Sequence, residues 1–253
     1  MHKILSMASI TFMQGLRAQT FRIVGLIFLC MLAITYVLRV LSVGHTDIML
    51  RSFGLSAMEI SGLLLIIFGC ISAFYREKEN RLQAIHLTYV SFFHHVCGRY
   101  LGNILLLGSY VIFVSIACSL ILFHEQAWHI SFLIGSYSVF LKLAIVCAFC
   151  SLFSSLFKSS IFASVITFLT YIASDFASYP LAISRENTQS IHRIISSIVY
   201  HILPSFDKID LKHIASQGEI PQFSHMTEIS IYSLVYVAMI ILLSWKVFSN
   251  HEH

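Results

Sequence analysis

Charged residues are scarce in this sequence. Only 11% of its 253 residues are Asp, Glu, Lys or Arg, whereas a soluble domain carries about 25%. Hydrophobic residues make up 57% of the chain, and the mean hydropathy is +0.82. No segment is long and polar enough to form a separate soluble domain. The composition therefore excludes a single-span protein with a soluble domain, and it predicts one integral membrane domain over residues 1–253.

Proline and glycine are also few, at 3 and 11 residues, which excludes a disordered or low-complexity chain. The net charge of +4 is modest, and no basic patch is interleaved with aromatic residues, so we expect no nucleic-acid partner. The six cysteines lie mostly in apolar runs rather than in the framework of a short secreted protein. Cys147 and Cys150 have the spacing of a redox or metal pair. Because no second pair accompanies them, a packing role is favoured.

Catalytic motifs are absent from the sequence. It has no Gly-x-Ser-x-Gly, no His-Glu-x-x-His and no Gly-x4-Gly-Lys-Ser/Thr phosphate loop. The thirteen histidines are scattered and form no spaced set of metal ligands. Residues 1–20 lack the compact apolar core and cleavage site of a signal peptide. We therefore expect no enzymatic activity, no metal and no cofactor in this chain, and a first apolar run that stays in the membrane.

Long apolar runs are the dominant feature of the chain. A helix needs about 20 apolar residues to cross the hydrocarbon core of a bilayer. Six runs meet this length, and they predict an all-α integral membrane fold. The predicted spans are 23–43, 53–74, 101–123, 130–157, 161–183 and 229–248. Residues 4–21 form an amphipathic pattern, typical either of an interfacial helix or of the first turns of a spanning helix.

Two polar segments interrupt the apolar runs. The first, 75–102, begins with five charges in six residues and cannot lie in hydrocarbon. The second, 184–228, has isoleucines at helical spacing over 191–202, which predicts a helical insert between the fifth and sixth spans. Residues 205–212 then read as a turn with capping residues. The charges of the first segment are Arg76, Glu77, Lys78, Glu79 and Arg81.

The distribution of lysine and arginine predicts the orientation in the membrane. With six spans both termini share one side. That side would carry Lys3, Arg17, Arg22, Arg76, Lys78, Arg81, Arg99, Lys158 and Lys246. The other side would carry Arg39, Arg51, Arg185, Arg193, Lys208 and Lys212. This bias predicts that both termini and the 75–102 loop are cytoplasmic, and that the 184–228 insert is external.

Three ionisable residues fall inside predicted spans. Ionisable residues in the membrane usually face a bundle interior or a wet cavity. For Lys142 the sequence leaves open a structural or snorkelling role and a place in a translocation path. Glu59 and Asp175 lie nearer the ends of their spans, which favours interfacial charges. Gly98 and Gly102 permit close contact between helices, but they also fit a simple helix entry.

The 75–102 segment resembles the permeases of ABC-2 type transporters. Those permeases carry an acidic start after their second span and a Gly-Lys-x-x-Gly-like entry into the third. Glu77-Lys-Glu79-Asn-Arg-Leu82 stands for the start here, and Gly98-Arg99-Tyr-Leu-Gly102 for the end. Leu203-Pro-Ser-Phe-Asp-Lys-Ile-Asp-Leu211, followed by Gly218-Glu-Ile-Pro221, is similar to the external segment of the subgroup that includes the nitrous-oxide-reductase maturation permease.

The resemblance implies a single ABC-2 type transmembrane domain in the inner membrane of the cell. It implies a permease, of export type, that pairs as a homodimer and couples to two cytoplasmic ABC ATPase subunits, which bind ATP and Mg. It also implies an N-terminal interfacial helix and a cytoplasmic coupling helix between spans 2 and 3. The implied coupling residues are Glu77, Glu79, Leu82, Ile85, Tyr89, Phe92, Phe93, Gly98 and Arg99.

The apolar residues of this loop support a docking role on their own. Residues 82–96 carry more apolar surface than a free cytoplasmic loop should expose, and such patches usually mark an interface. The alternative is that this face lies on the membrane surface. Two other functions stay open: an ion- or proton-coupled secondary transporter, and a membrane scaffold of an assembly system. The partners expected in every case include membrane lipid.

Overall fold

The fold is all-helical, as the sequence predicts. A computed structural model of the chain describes residues 2–41, 46–79, 92–177 and 203–251, and these ranges contain helices and turns but no strand. The helices are α1 (His2–Arg17), α2 (Gln19–Leu41), α3 (Thr46–Glu79), α4 (Phe92–His124), α5 (Ser131–Leu156), α6 (Ser160–Asp175), α7 (Lys212–Gln217) and α8 (Phe223–His251), with a 3-10 turn at Phe206–Lys208.

Within the described ranges, four helices are long and apolar enough to cross a membrane: α3, α4, α5 and α8. A fifth span exists if α1 and α2, which meet at a 56° bend, count as one. The chain is thus a multi-pass membrane protein. A sixth span stays a prediction, because α6 has 16 residues and the rest of predicted span 161–183 lies partly beyond the described ranges.

The apolar surface of α4 shows which part of that helix faces lipid. Large apolar side chains are exposed along it from Leu101, at 42%, to Phe123, at 74%. Such a continuous apolar surface is stable in hydrocarbon but not in water. These limits agree with the predicted span 101–123, while α4 itself begins about three turns earlier, at Phe92.

Helix α5 is the centre of the bundle. It packs against α3, α4, α6, α7 and α8, and residues on all its sides are buried, including Val139, Leu143 and Ala148. A helix that is hydrophobic all round is a buried helix. Any charge in the middle of α5 is therefore enclosed by protein rather than by lipid.

Glycines bring α1 into close contact with the start of α4. A Cβ atom at Gly98 would lie 2.8 Å from the Met7 Cβ, and one at Gly102 would lie 2.6 Å from the Thr11 Cβ. The contacts advance by about one turn on both helices, so α1 runs alongside α4. Close helix contact, rather than a simple helix entry, is thus the role of Gly98 and Gly102. The interfacial position of α1 stays a prediction.

Helix α3 changes its hydrogen-bond pattern halfway along. Leu65–Ile71 is a π-helical segment within the continuous helix, and it begins six residues after Glu59 and ends six residues before Glu77. Such segments are rare and are found frequently at functional sites. Predicted span 53–74 lies within α3. The helix begins about two turns before the predicted start and ends about one turn after the predicted end.

Candidate functional site

The Lys142 ammonium lies at the centre of a buried cluster of charges. It contacts the carboxylates of Glu59 at 2.8 Å, Asp175 at 3.0 Å and Asp210 at 3.0 Å. A lysine has three N–H donors, so each donor has one carboxylate. The Lys142 side chain is 0% exposed. The side chain therefore does not snorkel to the membrane surface. It pairs with three carboxylates inside the bundle.

Glu59 is the carboxylate most deeply enclosed in this cluster. Its side chain is 3% exposed, and it accepts a hydrogen bond from the Tyr171 hydroxyl at 2.8 Å. The ammonium of Lys212 is its second charged partner. The Glu59 carboxylate is thus enclosed by protein, because three donors from different helices replace water around it, and its position near a membrane surface stays a prediction. Asp175, at the end of α6, keeps 40% of its side chain exposed.

The segment before α8 supplies the remaining members of the cluster. Asp210 and Lys212 come from residues 203–222, named here the docked insert. The Lys212 ammonium is 3.2 Å from Asp210, and the Lys212 backbone N–H donates to the same carboxylate at 2.9 Å. With Glu59, Lys142 and Asp175, the cluster has three acidic and two basic groups. Its formal charge is therefore −1.

Backbone contacts hold the docked insert between α3 and α5. Arg51, on α3, donates to the carbonyl oxygens of Ala127 at 2.9 Å and Ser216 at 3.2 Å. The Ser131 hydroxyl donates to the Ala215 carbonyl at 2.8 Å. At Gly135 a Cβ atom would lie 2.8 Å from the Ala215 Cβ, so α7 needs a glycine there. Hydrogen bonds and close packing thus fix the insert independently of the ion pairs.

A glycine ends α7 and lets the chain turn toward α8. Gly218 has a φ of 84°, in the left-handed region that glycine adopts without strain. Its N–H donates to the Ala215 carbonyl at 3.3 Å, and the N–H of Glu219 donates to Ile214 at 3.2 Å. This is the usual glycine ending of a helix. It ends the short α7 five residues after Lys212.

The charges around the docked insert change the pKa of its two ionisable groups. Burial alone would raise the pKa of Asp210, but the Lys142 and Lys212 charges outweigh burial and hold that pKa below its usual value. Burial alone would lower the pKa of Lys212, and the Glu59 and Asp210 charges raise it despite Lys142. Both groups are therefore more firmly charged in the cluster than they are in water.

A second charge pair, the loop clamp, joins the two ends of the segment 80–91. Glu77 of α3 and Arg99 of α4 form a buried ion pair, and the Arg99 guanidinium lies 4.5 Å from the centre of the Phe74 ring. Residues 80–91 themselves lie outside the described ranges. The two helices that flank this segment are thus joined to each other.

Two tyrosines connect the loop clamp to α5. The Tyr75 hydroxyl donates to the Phe157 carbonyl at 2.7 Å, and the Tyr100 hydroxyl donates to the Ala144 carbonyl at 3.2 Å. Tyr75 precedes the segment 80–91 and Tyr100 follows it. The helices on either side of that segment are therefore each bonded to the central helix of the bundle.

Helix α3 carries one member of each charge group. Glu59 and Glu77 are 18 residues apart, which corresponds to roughly 27 Å along a helix. That distance is close to the thickness of the hydrocarbon core, about 30 Å. The buried cluster and the loop clamp are therefore separated along α3 by a distance comparable to that thickness, with the π-helical segment of α3 between them.

The residues predicted from the sequence divide into three groups. Lys142, Glu59 and Asp175 are brought together in one cluster. Glu77 and Arg99 meet in the loop clamp, and Gly98 contacts α1. Leu82, Ile85 and Tyr89 lie outside the described ranges, as does the predicted helix over 191–202.

The three remaining coupling residues are Phe92, Phe93 and Glu79. Phe92 begins α4, and the side chain of Phe93 is 37% exposed with its ring 5.5 Å from that of Trp245. Glu79 is exposed at the end of α3. The exposure of Phe93 is compatible with a docking residue.

Sequence reasoning missed Asp210, Lys212 and Tyr171. The sequence around Asp210 has the pattern of a turn with capping residues. The pattern therefore indicates a capping residue at Asp210 and not a partner of Lys142. One signal was present: Lys142 in an apolar run needs an acidic partner, and Asp210 sits in a segment whose Phe206, Ile209 and Leu211 are apolar. All three of those residues are buried.

Comparison with known proteins adds no identification. No protein-family model matches the chain, and no curated protein is similar to it in sequence. The described residues contain no group of three or more His, Cys, Asp or Glu side chains that could hold a metal ion. The three carboxylates around Lys142 face ammonium groups instead.

Proposed function

We propose that this chain is the membrane-spanning permease subunit of an ATP-driven ABC transporter of the exporter type. The observation that carries the proposal is the loop clamp. A permease without a nucleotide site of its own needs a rigid connection through which a separate motor can move it. The buried pair of Glu77 and Arg99 supplies such a connection at the ends of the segment that resembles the coupling loop of ABC-2 permeases.

The loop clamp supports force transfer because it joins α3 to α4, and both helices are hydrogen-bonded to α5. A push on the segment 80–91 acts on α3 and α4 together, since Glu77 and Arg99 join them. The hydroxyls of Tyr75 and Tyr100 pass the push on to α5. A flexible loop on unconnected helices would absorb the same displacement. The segment therefore acts as a handle on the core of the bundle.

The buried cluster is the part of the molecule on which such a push would act. In this proposal the ion pairs of Lys142 and Lys212 hold the docked insert against α3 and α5, and the permease is closed on that side. A movement of α3 changes the distance between Glu59 and both lysines. Separating them opens the side of the bundle that the insert covers, which the orientation prediction places outside the cell.

The partners follow from the same proposal. Two cytoplasmic ABC ATPase subunits bind ATP and Mg and dock on the segment 80–91, and two copies of this chain form the permease. Both termini are in the cytoplasm, and the membrane is the inner membrane of the cell. The chain itself holds no nucleotide and hydrolyses none.

Co-purification tests the proposal. The chain is expressed with candidate ABC ATPase subunits from the same genome, and the ATPase that co-purifies in detergent is quantified for the unaltered chain, Phe93→Asp and Tyr89→Asp. Truncating an aromatic anchor of an interface costs roughly 2 kcal/mol or more, so ATPase recovery should fall strongly. Phe223→Asp is the matched control, because Phe223 is 81% exposed at the start of α8, far from the loop. Undiminished recovery with both loop variants would show that the loop does not couple.

An ion- or proton-coupled secondary transporter is the second candidate, and the buried cluster favours it. Ionisable groups inside a membrane bundle are typical of ion and proton pathways. In this case Glu59 or Asp210 would exchange a lysine partner for the coupling ion. Transport by vesicles with and without an imposed ion gradient separates the two functions. Uptake that follows the gradient and ignores ATP would support this candidate against the first.

A further inference from the structure

We propose that the cavity between α1, α2, α3 and α4 binds the headgroup of an anionic phospholipid. The cavity has a volume of about 370 Å³ and lies at the bend between α1 and α2. It shares no lining residue with the buried cluster. The inference rests on the charges, the polar groups and the membrane depth of the cavity, and it does not depend on the proposed function.

Two arginines give the cavity a positive charge. Arg17, at the end of α1, and Arg76, near the end of α3, both line it, and both are exposed. Neither forms an ion pair with any residue in the described ranges. Glu77 also lines the cavity, but its carboxylate is paired with Arg99. The cavity therefore presents two guanidinium groups that have no acidic partner in the described part of the chain, and guanidinium groups bind phosphate in bidentate geometry.

A buried amide provides a further polar group inside the cavity. Asn103 of α4 is 5% exposed and lines the cavity. An Asn amide can donate to a phosphate or glycerol-ester oxygen and accept from a glycerol hydroxyl. It therefore offers a headgroup both a donor and an acceptor inside the cavity.

The apolar lining fits the acyl part of a lipid. Phe21, Leu65 and Leu106 line the cavity beside the polar groups. A small soluble anion gains nothing from contact with apolar side chains, whereas a phospholipid places a charged headgroup directly next to hydrocarbon. The combination of arginines, one buried amide and apolar side chains thus points to an amphipathic anion.

The depth of the cavity in the membrane agrees with a headgroup. The exposed apolar surface of α4 ends at Phe123, and about 20 residues counted back from there reach the other surface of the hydrocarbon core near Asn103. Arg76 lies three residues before Glu79, where α3 ends. The cavity therefore lies at the boundary between hydrocarbon and headgroups. Basic pockets between membrane helices at this depth are typical of anionic-lipid sites.

A lipid titration of the purified full-length chain tests the proposal. The chain is delipidated in a mild detergent and titrated with phosphatidylglycerol or phosphatidylcholine, and the thermal unfolding midpoint and the lipid retained in native mass spectrometry are both measured. We expect phosphatidylglycerol to raise the midpoint and to be retained, and phosphatidylcholine to do neither. The double variant Arg17→Gln, Arg76→Gln should need about tenfold more phosphatidylglycerol for half-saturation, because each arginine contributes to the attraction of an anionic lipid.

A charge-matched control uses the pair Arg22→Gln, Lys78→Gln, which removes two positive charges near the cavity from residues that do not line it. Half-saturation of the control should match that of the unaltered chain. Asn103→Leu, which nearly keeps the size of the side chain and adds no charge, should weaken phosphatidylglycerol binding without lowering the lipid-free midpoint. If the double arginine variant fails to fold, each single variant is measured instead.

Three results would overturn the proposal. Equal effects of phosphatidylcholine and phosphatidylglycerol would show that the cavity does not select an anion. An equal loss in the control pair would assign the effect to general surface charge. An equal shift with inorganic phosphate would show a site for a free anion. None of these measurements involves an ATPase, so their outcome is independent of the co-purification test.

Discussion

Glu59 and Lys212, which are 153 residues apart in the chain, form an ion pair inside the helical bundle. The pair joins α3 to the docked insert, and Lys142 shares the same carboxylate from α5. The position of the insert is thus controlled by charge as well as by packing. Because removing one member leaves its partners buried and uncompensated, the pair can be tested by changing single residues.

Replacing Lys142 by leucine should strongly destabilise the protein. The change leaves Glu59, Asp175 and Asp210 together with only the Lys212 ammonium near them. Breaking a buried ion pair by removing one partner costs about 3–5 kcal/mol. Lys142→Arg keeps the charge and should be milder. Thermal unfolding of the purified chain in detergent measures both variants.

A compensating variant separates the effect of charge from that of packing. Lys142→Leu combined with Asp210→Asn removes one negative charge along with the positive one, so it should unfold at a higher temperature than Lys142→Leu alone. If the double variant is no better than the single one, the loss of Lys142 acts through packing and not through uncompensated carboxylates.

Glu59→Gln should loosen the docked insert, which hydrogen bonds and packing still hold in part. The amide keeps the size of the side chain but removes the charge that attracts both Lys142 and Lys212. Ala215 is 1% exposed in the docked insert, so a cysteine at that position, in a chain without its other cysteines, should react slowly with a maleimide. Adding Glu59→Gln should raise its reaction rate severalfold. A cysteine at Phe223, which is 81% exposed, should react equally fast in both backgrounds.

The membrane spans could be predicted from the sequence better than the site could. Residues 101–123 are apolar because they contact lipid, and the exposed apolar surface of α4 begins and ends at the same residues. Glu59, Lys142 and Asp175 stood out because charges are rare in apolar runs. Their meeting could not be predicted, since apolar helices can pack in many arrangements that satisfy the same composition. Whether a charge is interfacial or buried depends on that packing.

The docked insert shows the second limit of the sequence. Asp210 and Lys212 lie in a polar stretch, where charged residues are unremarkable. Only the fold brings them to Lys142 and Glu59. The bend between α1 and α2 could not be predicted either, because no proline marks it in the sequence. The contacts of Gly98 and Gly102 with α1 depend on how the helices pair, which the sequence does not specify.

Acid should weaken the docking of the insert. The pKa of Asp210 is lowered in the folded chain, so its contribution to stability is present above its unfolded pKa, about 3.9, and is lost as the pH falls through the lower folded value. The unfolding midpoint should change little because of this group between pH 7 and 5, and fall below about pH 4. Asp210→Asn should reduce this acid-induced fall. Asp207→Asn, at an exposed position in the same insert, should leave it unchanged, and an equal effect of both variants would contradict the assignment.

Alanine at Gly102 should weaken the contact between α1 and α4. Its Cβ atom would lie 2.6 Å from the Thr11 Cβ and 2.7 Å from the Ala8 carbonyl oxygen, and backbone cannot move aside as a flexible side chain can. Overpacking of this kind costs typically 1–3 kcal/mol.

Gly108→Ala on the same helix is the matched control, since its Cβ would meet the Phe140 ring at an ordinary 3.6 Å. Alanine is also the better helix former, by up to about 1 kcal/mol. The unfolding midpoint should therefore fall for Gly102→Ala and stay level or rise for Gly108→Ala. Equal midpoints for the two variants would show that α1 does not pack on α4 at this distance.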